Sequence, residues 1–143
     1  MFTDANTALD FILAGKSRFT LTSTVSGNSF TFKLDAPKDR ETGEVDRSIL
    51  FVKVLNGPDN SWNGDWLFLG FIREGGSLAG GKKGHPDAPS FRALDWTLNQ
   101  LAAGNLPETL EIRHEGQCGR CGRALTVPAS IDSGFGPHCA TQL

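Results

Sequence analysis

At 143 residues the chain suits one compact domain, or one domain with a small appendage, and its 38% hydrophobic content is enough for a modest core. Its 14 Lys and Arg against 16 Asp and Glu give a formal net charge of −2, which argues against a wholesale polyanion binder but leaves room for a local basic patch. No apolar run approaches a membrane span, and Phe11-Ile12-Leu13-Ala14 is too short, and lacks the basic lead, for a signal peptide.

Residues 5–15 read as a short helix, with Ala8, Leu9, Ile12 and Leu13 on one apolar face and Gly15 ending it. Phe19–Val25 and Ser29–Leu34 alternate apolar and polar residues on either side of Ser26-Gly27-Asn28, an antiparallel hairpin signal. The polar stretch 35–47 reads as a solvent loop, and its acidic residues are spread along it without pairing. Ile49–Leu55 and Trp66–Ile72 are more continuously apolar and read as central strands, joined by turn residues from Asn56 onward. A Gly- and Pro-rich stretch over 74–89 reads as a mobile loop. Ser90 then stands as the N-cap of a helix over 91–103, where Phe91, Leu94, Leu98 and Leu101 recur at helical spacing and Gly104 closes it. Leu110–Arg113 is a last short strand.

The sum is an α+β fold: a small, mostly antiparallel sheet of four or five strands with one long helix packed on it. Residues 1–109 form this body. Residues 110–143 form a zinc-knuckle tail, packed on the body or appended to it.

All 3 cysteines lie at or beyond position 118. Cys118 and Cys121 form a C-x2-C pair, which sets two thiolates on one turn where they can grip a single ion. Cys139 supplies a third sulfur. The fourth ligand must come from a histidine, and His114, at H-x3-C near the end of the last strand, is placed ahead of His138. His138 adjoins Cys139, and neighbouring side chains of an extended segment point apart. His85 or water are further alternatives, as are three free thiols or a redox-active Cys118–Cys121 pair. A closed Cys3His set leaves no open coordination position, so one zinc ion there is structural rather than catalytic. It can contribute on the order of 10 kcal/mol to folding its small unit.

Catalytic arrangements are not legible. Gly76 to Lys83 nearly spells a phosphate-binding loop, but Lys83 stands where a hydroxyl should bind magnesium, and Gly84, His85 and Pro86 follow where a helix should begin. What remains is a loop presenting Lys82, Lys83 and His85 to an anion, beside the plainer reading of a solvated loop. Trp62 can stack on a base or anchor a partner, or simply cover a strand end. Arg120 and Arg123 decorate the cysteine turn, where they can contact phosphates or shield thiolate charge. Trp66 and Trp96 read as packing residues.

The stretch 118–140 resembles a family of small uncharacterised proteins of bacteriophages and prophages. Their pattern is C-x2-C-G-R-x-L-T, then a Pro and Ser-Ile, then G-x-G-P-x-C, met here by Cys118, Cys121 to Arg123, Leu125-Thr126, Pro128, Ser130-Ile131 and Gly134 to Cys139. Phe19 to Ser23, Gly27, Phe30 to Phe32, Leu55 to Asn60 and Leu101 to Gly104 also look similar to members of that family. In that pattern the residue before the last Cys varies, which the resemblance adds in favour of His114 over His138. The resemblance implies a phage or mobile-DNA setting but no activity. The resulting expectation is a non-catalytic, zinc-stabilised binding protein of the bacterial cytoplasm that engages a host or phage nucleoprotein complex. Inhibition of a bacterial defence system, anti-CRISPR-like, is one concrete form. The alternative is direct nucleic-acid binding in phage replication, recombination or transcription, through Trp62, Lys82, Lys83, Arg120 and Arg123.

Overall fold

A computed structural model describes residues 1–55, 66–73, 76–125 and 133–136. Its first element, α1 (Ala5–Ile12), starts at Asp4, whose carboxylate accepts the Thr7 N–H and the Thr7 hydroxyl, both at 2.9 Å. The Thr7 backbone bond is the main reason that the Asp4 carboxyl titrates below its ordinary range. Ala5, Ala8, Phe11 and Ile12 form the buried stripe of this helix.

Six strands follow the hydrophobic patterning: β1 (Arg18–Ser23), β2 (Ser29–Asp35), β3 (Ile49–Leu55), β4 (Trp66–Arg73), β5 (Leu78–Ala79) and, after helix α2 (Pro89–Ala102), β6 (Leu110–His114). They form one sheet in the order β5-β4-β3-β2-β1-β6, and each pairing between them is antiparallel. The expected α+β class stands, but among the described residues the count of four or five strands is corrected to six, and the helices α1 and α2 accompany the sheet. The additional strand is β5, two residues inside the glycine-rich stretch, too short to leave an alternating pattern. The last strand is no appendage to the sheet: β6 pairs along β1 from Phe19↔His114 to Ser23↔Leu110 and places Ile112 in the core.

Helix α2 begins differently from the expectation. Ala88 is its N-cap, without a side-chain capping bond, and Pro89 opens the first turn. Proline's fixed φ suits that first position, and Ser90 lies inside the helix, buried. The C-terminal end is a Schellman motif: Gly104 at φ +82° lets its own N–H reach the Leu101 carbonyl and Asn105 N–H reach that of Gln100. Trp96 is 45% exposed on this helix, so it is a surface residue rather than the packing residue expected.

The two faces of the sheet differ in kind. One carries Phe19, Leu21, Phe32, Leu34, Leu50, Val52, Val54, Ile72 and Ile112, which join Phe11, Ile12, Leu94, Leu98 and Leu101 of the helices in one buried cluster. The pairing shifts between Val52 and Lys53, leaving Leu69 as the extra residue of a bulge in β4. The other face carries Thr20, Thr31 and Lys33, then Phe51, Lys53, Trp66 and Phe68, none of them buried. The apolar runs in β3 and β4 therefore have two causes. Half of their residues fill the core, and the aromatic half faces away from it.

Candidate functional site

Residues 116–125 make a small hairpin with both described cysteines at its tip. Leu125 N–H donates to the Gly116 carbonyl at 2.8 Å, Gln117 bridges Ala124, Cys118 N–H donates to Arg123 at 2.8 Å, and Gly122 N–H donates to Cys118 at 2.9 Å. The two glycines after the cysteines serve different ends. Gly122 takes φ +79°, which closes the turn. Gly119 is needed for close approach, because a Cβ there would lie 2.5 Å from Cδ2 of the fully buried Phe11.

Backbone bonds stitch the hairpin to the body. Gly119 N–H donates to the Gly134 carbonyl at 2.8 Å, and the Gly119 carbonyl accepts from Lys16 N–H at 2.9 Å. Phe11 is the hub beneath it, with ring centroids 5.1 Å from Phe2, 5.7 Å from His114 and 5.9 Å from Phe135.

Cys118 is buried and Cys121 is exposed, both as free thiols. Burial alone would push the Cys118 thiol up. Hydrogen bonds to its sulfur from the backbone N–H groups of Gly136, Cys121 and Arg120, and from the Cys121 side chain, overrule that and lower it from 9.0 to about 7. A depressed native value stabilises the fold above the unfolded value, and that contribution is lost as pH falls through the native one. The metal-free protein is thus expected to gain stability as pH rises from about 7 to about 9, and Cys118→Ser to flatten the rise. Denaturant midpoints across that range measure it; an equal rise in both proteins would contradict the assignment.

His114 sits at the end of β6, half-buried against Phe2 and Phe11. Its Nδ1 accepts the Gly116 N–H at 2.9 Å, so the neutral ring in this arrangement carries its proton on Nε2. A zinc ion taken up by His114 would replace the Gly116 bond at either nitrogen: binding at Nε2 would move the ring proton to Nδ1, and binding at Nδ1 would use the lone pair that now accepts the Gly116 N–H. Among the described residues no group of three His, Cys, Asp or Glu side chains is placed to hold a metal. Cys118 and Cys121 are brought together, while Cys139 and His138 lie outside the described residues. So does Trp62.

The basic candidates are not gathered at one place. Arg120 and Arg123 belong to the hairpin that follows β6, whereas Lys82 and Lys83 follow β5, at the opposite edge of the sheet. Both lysines are exposed. His85 is tied down beside them: its Nδ1–H donates to the Phe68 carbonyl and its backbone N–H to that of Leu69, each at 2.9 Å. Sequence reasoning missed the cationic and aromatic residues of the open face, Lys33, Lys53, Phe51, Phe68 and Arg73. The signal available was an aromatic residue on the off-phase positions of β3 and β4.

Among the described residues no helix is long and apolar enough to cross a membrane. Residues 108–143 match the model of a family of unknown function, DUF6011. Neither the curated proteins nor the solved structures contain a match to this chain.

Proposed function

We propose that this is a non-catalytic, zinc-stabilised binding protein that acts on a nucleoprotein complex in the bacterial cytoplasm. The observation that carries the reading is Cys118. A buried thiol that accepts three backbone N–H groups is biased toward the thiolate, the form a zinc ligand requires. Cys118 and Cys121 would hold one structural ion with Cys139 and His114, and the ion would supply cross-linking of the hairpin to the end of the chain, not chemistry on a substrate. The donor set fits zinc in its two described sulfurs, with loss of the Gly116 bond to His114 as the change that loading demands. The resemblance of 118–140 to phage and prophage proteins supports the mobile-DNA setting, and interference with a host defence complex is one form such binding would take.

Metal analysis of the purified full chain is expected to find one zinc per chain, and Cys121→Ser to lose it. Because Cys121 is exposed and fills no core space, that substitution should loosen residues 115–125 and 133–136 while the six-stranded sheet stays folded, as read by hydrogen exchange and circular dichroism. A metal-free wild-type protein would remove zinc from the reading. Sedimentation of host lysate expressing the protein tests the rest. Co-sedimentation with nucleoprotein that survives nuclease points to a protein partner, and release by nuclease to nucleic acid. A protein found wholly in the unassociated fraction would end the proposal.

A further inference from the structure

We infer that the open face of β2, β3 and β4 binds single-stranded nucleic acid, with bases stacking on Phe51 and Phe68 and phosphates held by Lys33, Lys53 and Arg73. This deepens the nucleoprotein reading, on which its biological setting rests, and it uses none of the zinc ligands.

The face pairs rings with cations in a way that folding alone does not call for. Arg18 lies opposite Lys33, and Lys33 opposite Lys53, so three cations form a row across three strands. Like charges directly opposite on neighbouring strands destabilise a sheet. Asp35 answers only part of this charge, being taken by Arg18 at 3.1 Å. The Lys33 ammonium is pulled below its ordinary range, first by burial and then by Lys53 and Arg18. A phosphate seated here would relieve that repulsion.

The rings lie beside the charges. Phe51 and Phe68 sit on adjacent strands with centroids 6.4 Å apart, and Phe51 is 38% exposed. Lys33 Nζ stands 4.6 Å from the Trp66 ring, and the Arg73 guanidinium carbon 5.0 Å from the Phe71 ring. Gly81 closes over Phe71, where a Cβ would lie 2.8 Å from the ring, and the exposed Lys82 and Lys83 follow it directly in the chain. An open sheet face with accessible aromatic rings and flanking cations is how proteins stack unpaired bases and track their backbone. A duplex hides its base faces and cannot use the rings. The net charge of −2 conceals this, because the count includes the exposed Asp39, Glu41, Glu44 and Asp46 of the loop between β2 and β3; Asp35 itself lies on the face, opposite Phe51.

The test is an anisotropy titration of the full-length, metal-replete chain with labelled short oligo(dT), oligo(U) and a duplex. At about 50 mM salt the single strands should saturate and the duplex bind more weakly, with affinity falling steeply toward about 200 mM. Phe51→Ala and Phe68→Ala should each weaken single-strand binding roughly ten- to hundredfold, and Lys53→Gln should reduce the log–log salt slope by about 0.7. Trp96→Ala, on the helical side, should change nothing, and matched thermal midpoints confirm that the variants are folded. The inference is overturned if no single strand saturates at low salt, if duplex binds as tightly, or if Trp96→Ala weakens binding as much as the ring variants. Loss through Arg120→Gln or Arg123→Gln with the ring variants unaffected would move the site to the hairpin. Competition by an acidic peptide of matched charge as effective as unlabelled oligonucleotide would mean a protein ligand. Each of these leaves zinc content and nucleoprotein sedimentation as separate readouts.

Discussion

Phe11→Ala is expected to cost about 3–5 kcal/mol of stability, the range for removing a buried phenyl ring. Phe11 has no exposed surface and joins three parts of the molecule that are distant in sequence. It anchors α1, meets Phe2 and His114 beside β6, and supplies the surface on which Gly119, Gly134 and Phe135 pack. Collapse into the cavity would have to draw in all of these at once, and the backbone bonds of Gly119 to Lys16 and Gly134 resist that. The hairpin should therefore loosen together with α1, so the Gly119 and Lys16 amides should lose hydrogen-exchange protection along with the fall in denaturant midpoint. Phe11→Leu should retain part of the stability. A loss below about 1 kcal/mol with protected amides unchanged would show that the hairpin does not depend on this ring.

Gly70→Ala should have the second largest effect, about 1–3 kcal/mol from overpacking, and it acts at the other edge of the sheet. A Cβ at Gly70 would run into the Ala79 carbonyl oxygen, with the Ala79 carbonyl carbon at 3.0 Å and the Gly80 Cα at 3.1 Å. These are backbone atoms, so no side-chain rotation relieves the clash. The strand pair of Phe71↔Ala79 and Ile72↔Leu78 would part, and the turn bearing Lys82 and Lys83 would leave the Phe71 ring. Thermal denaturation reads the stability. The oligonucleotide titration reads the displacement of the lysines as a further loss of affinity. If Gly70→Ala melts like the wild type, the close approach of β5 to β4 is not a structural requirement.

The β1–β2 hairpin was legible because alternation and a Gly-containing turn are local signals, and the structure pairs Phe19 with Phe32 and Leu21 with Phe30. The end of α2 was legible for the same reason: Gly104 is a residue with a conformational role that shows in sequence. Its start was not, because Ser90 and Pro89 are both favourable near a helix N-terminus and only the backbone path chose between them. The two-residue β5 carries no periodicity, and its pairing depends on Gly70 leaving room for a carbonyl. The cysteine turn announced itself through spacing, whereas the hydrogen bonds that lower Cys118 come partly from Gly136, 18 residues along the chain.

By itself the sequence determined the longer local elements, the α+β class and the placing of Cys118 and Cys121 on one turn, since each depends on residues a few positions apart. Tertiary structure alone decided which face of the sheet the helices cover. Period-two patterning needs contrast between alternate residues, and β3 and β4 have aromatic residues on one side and aliphatic residues on the other. Only the register that sets Lys33 against Lys53, and Phe51 beside Phe68, turned the second set into a surface. The same holds for Phe11, whose importance lies in the tail that folds back onto it from more than a hundred residues away.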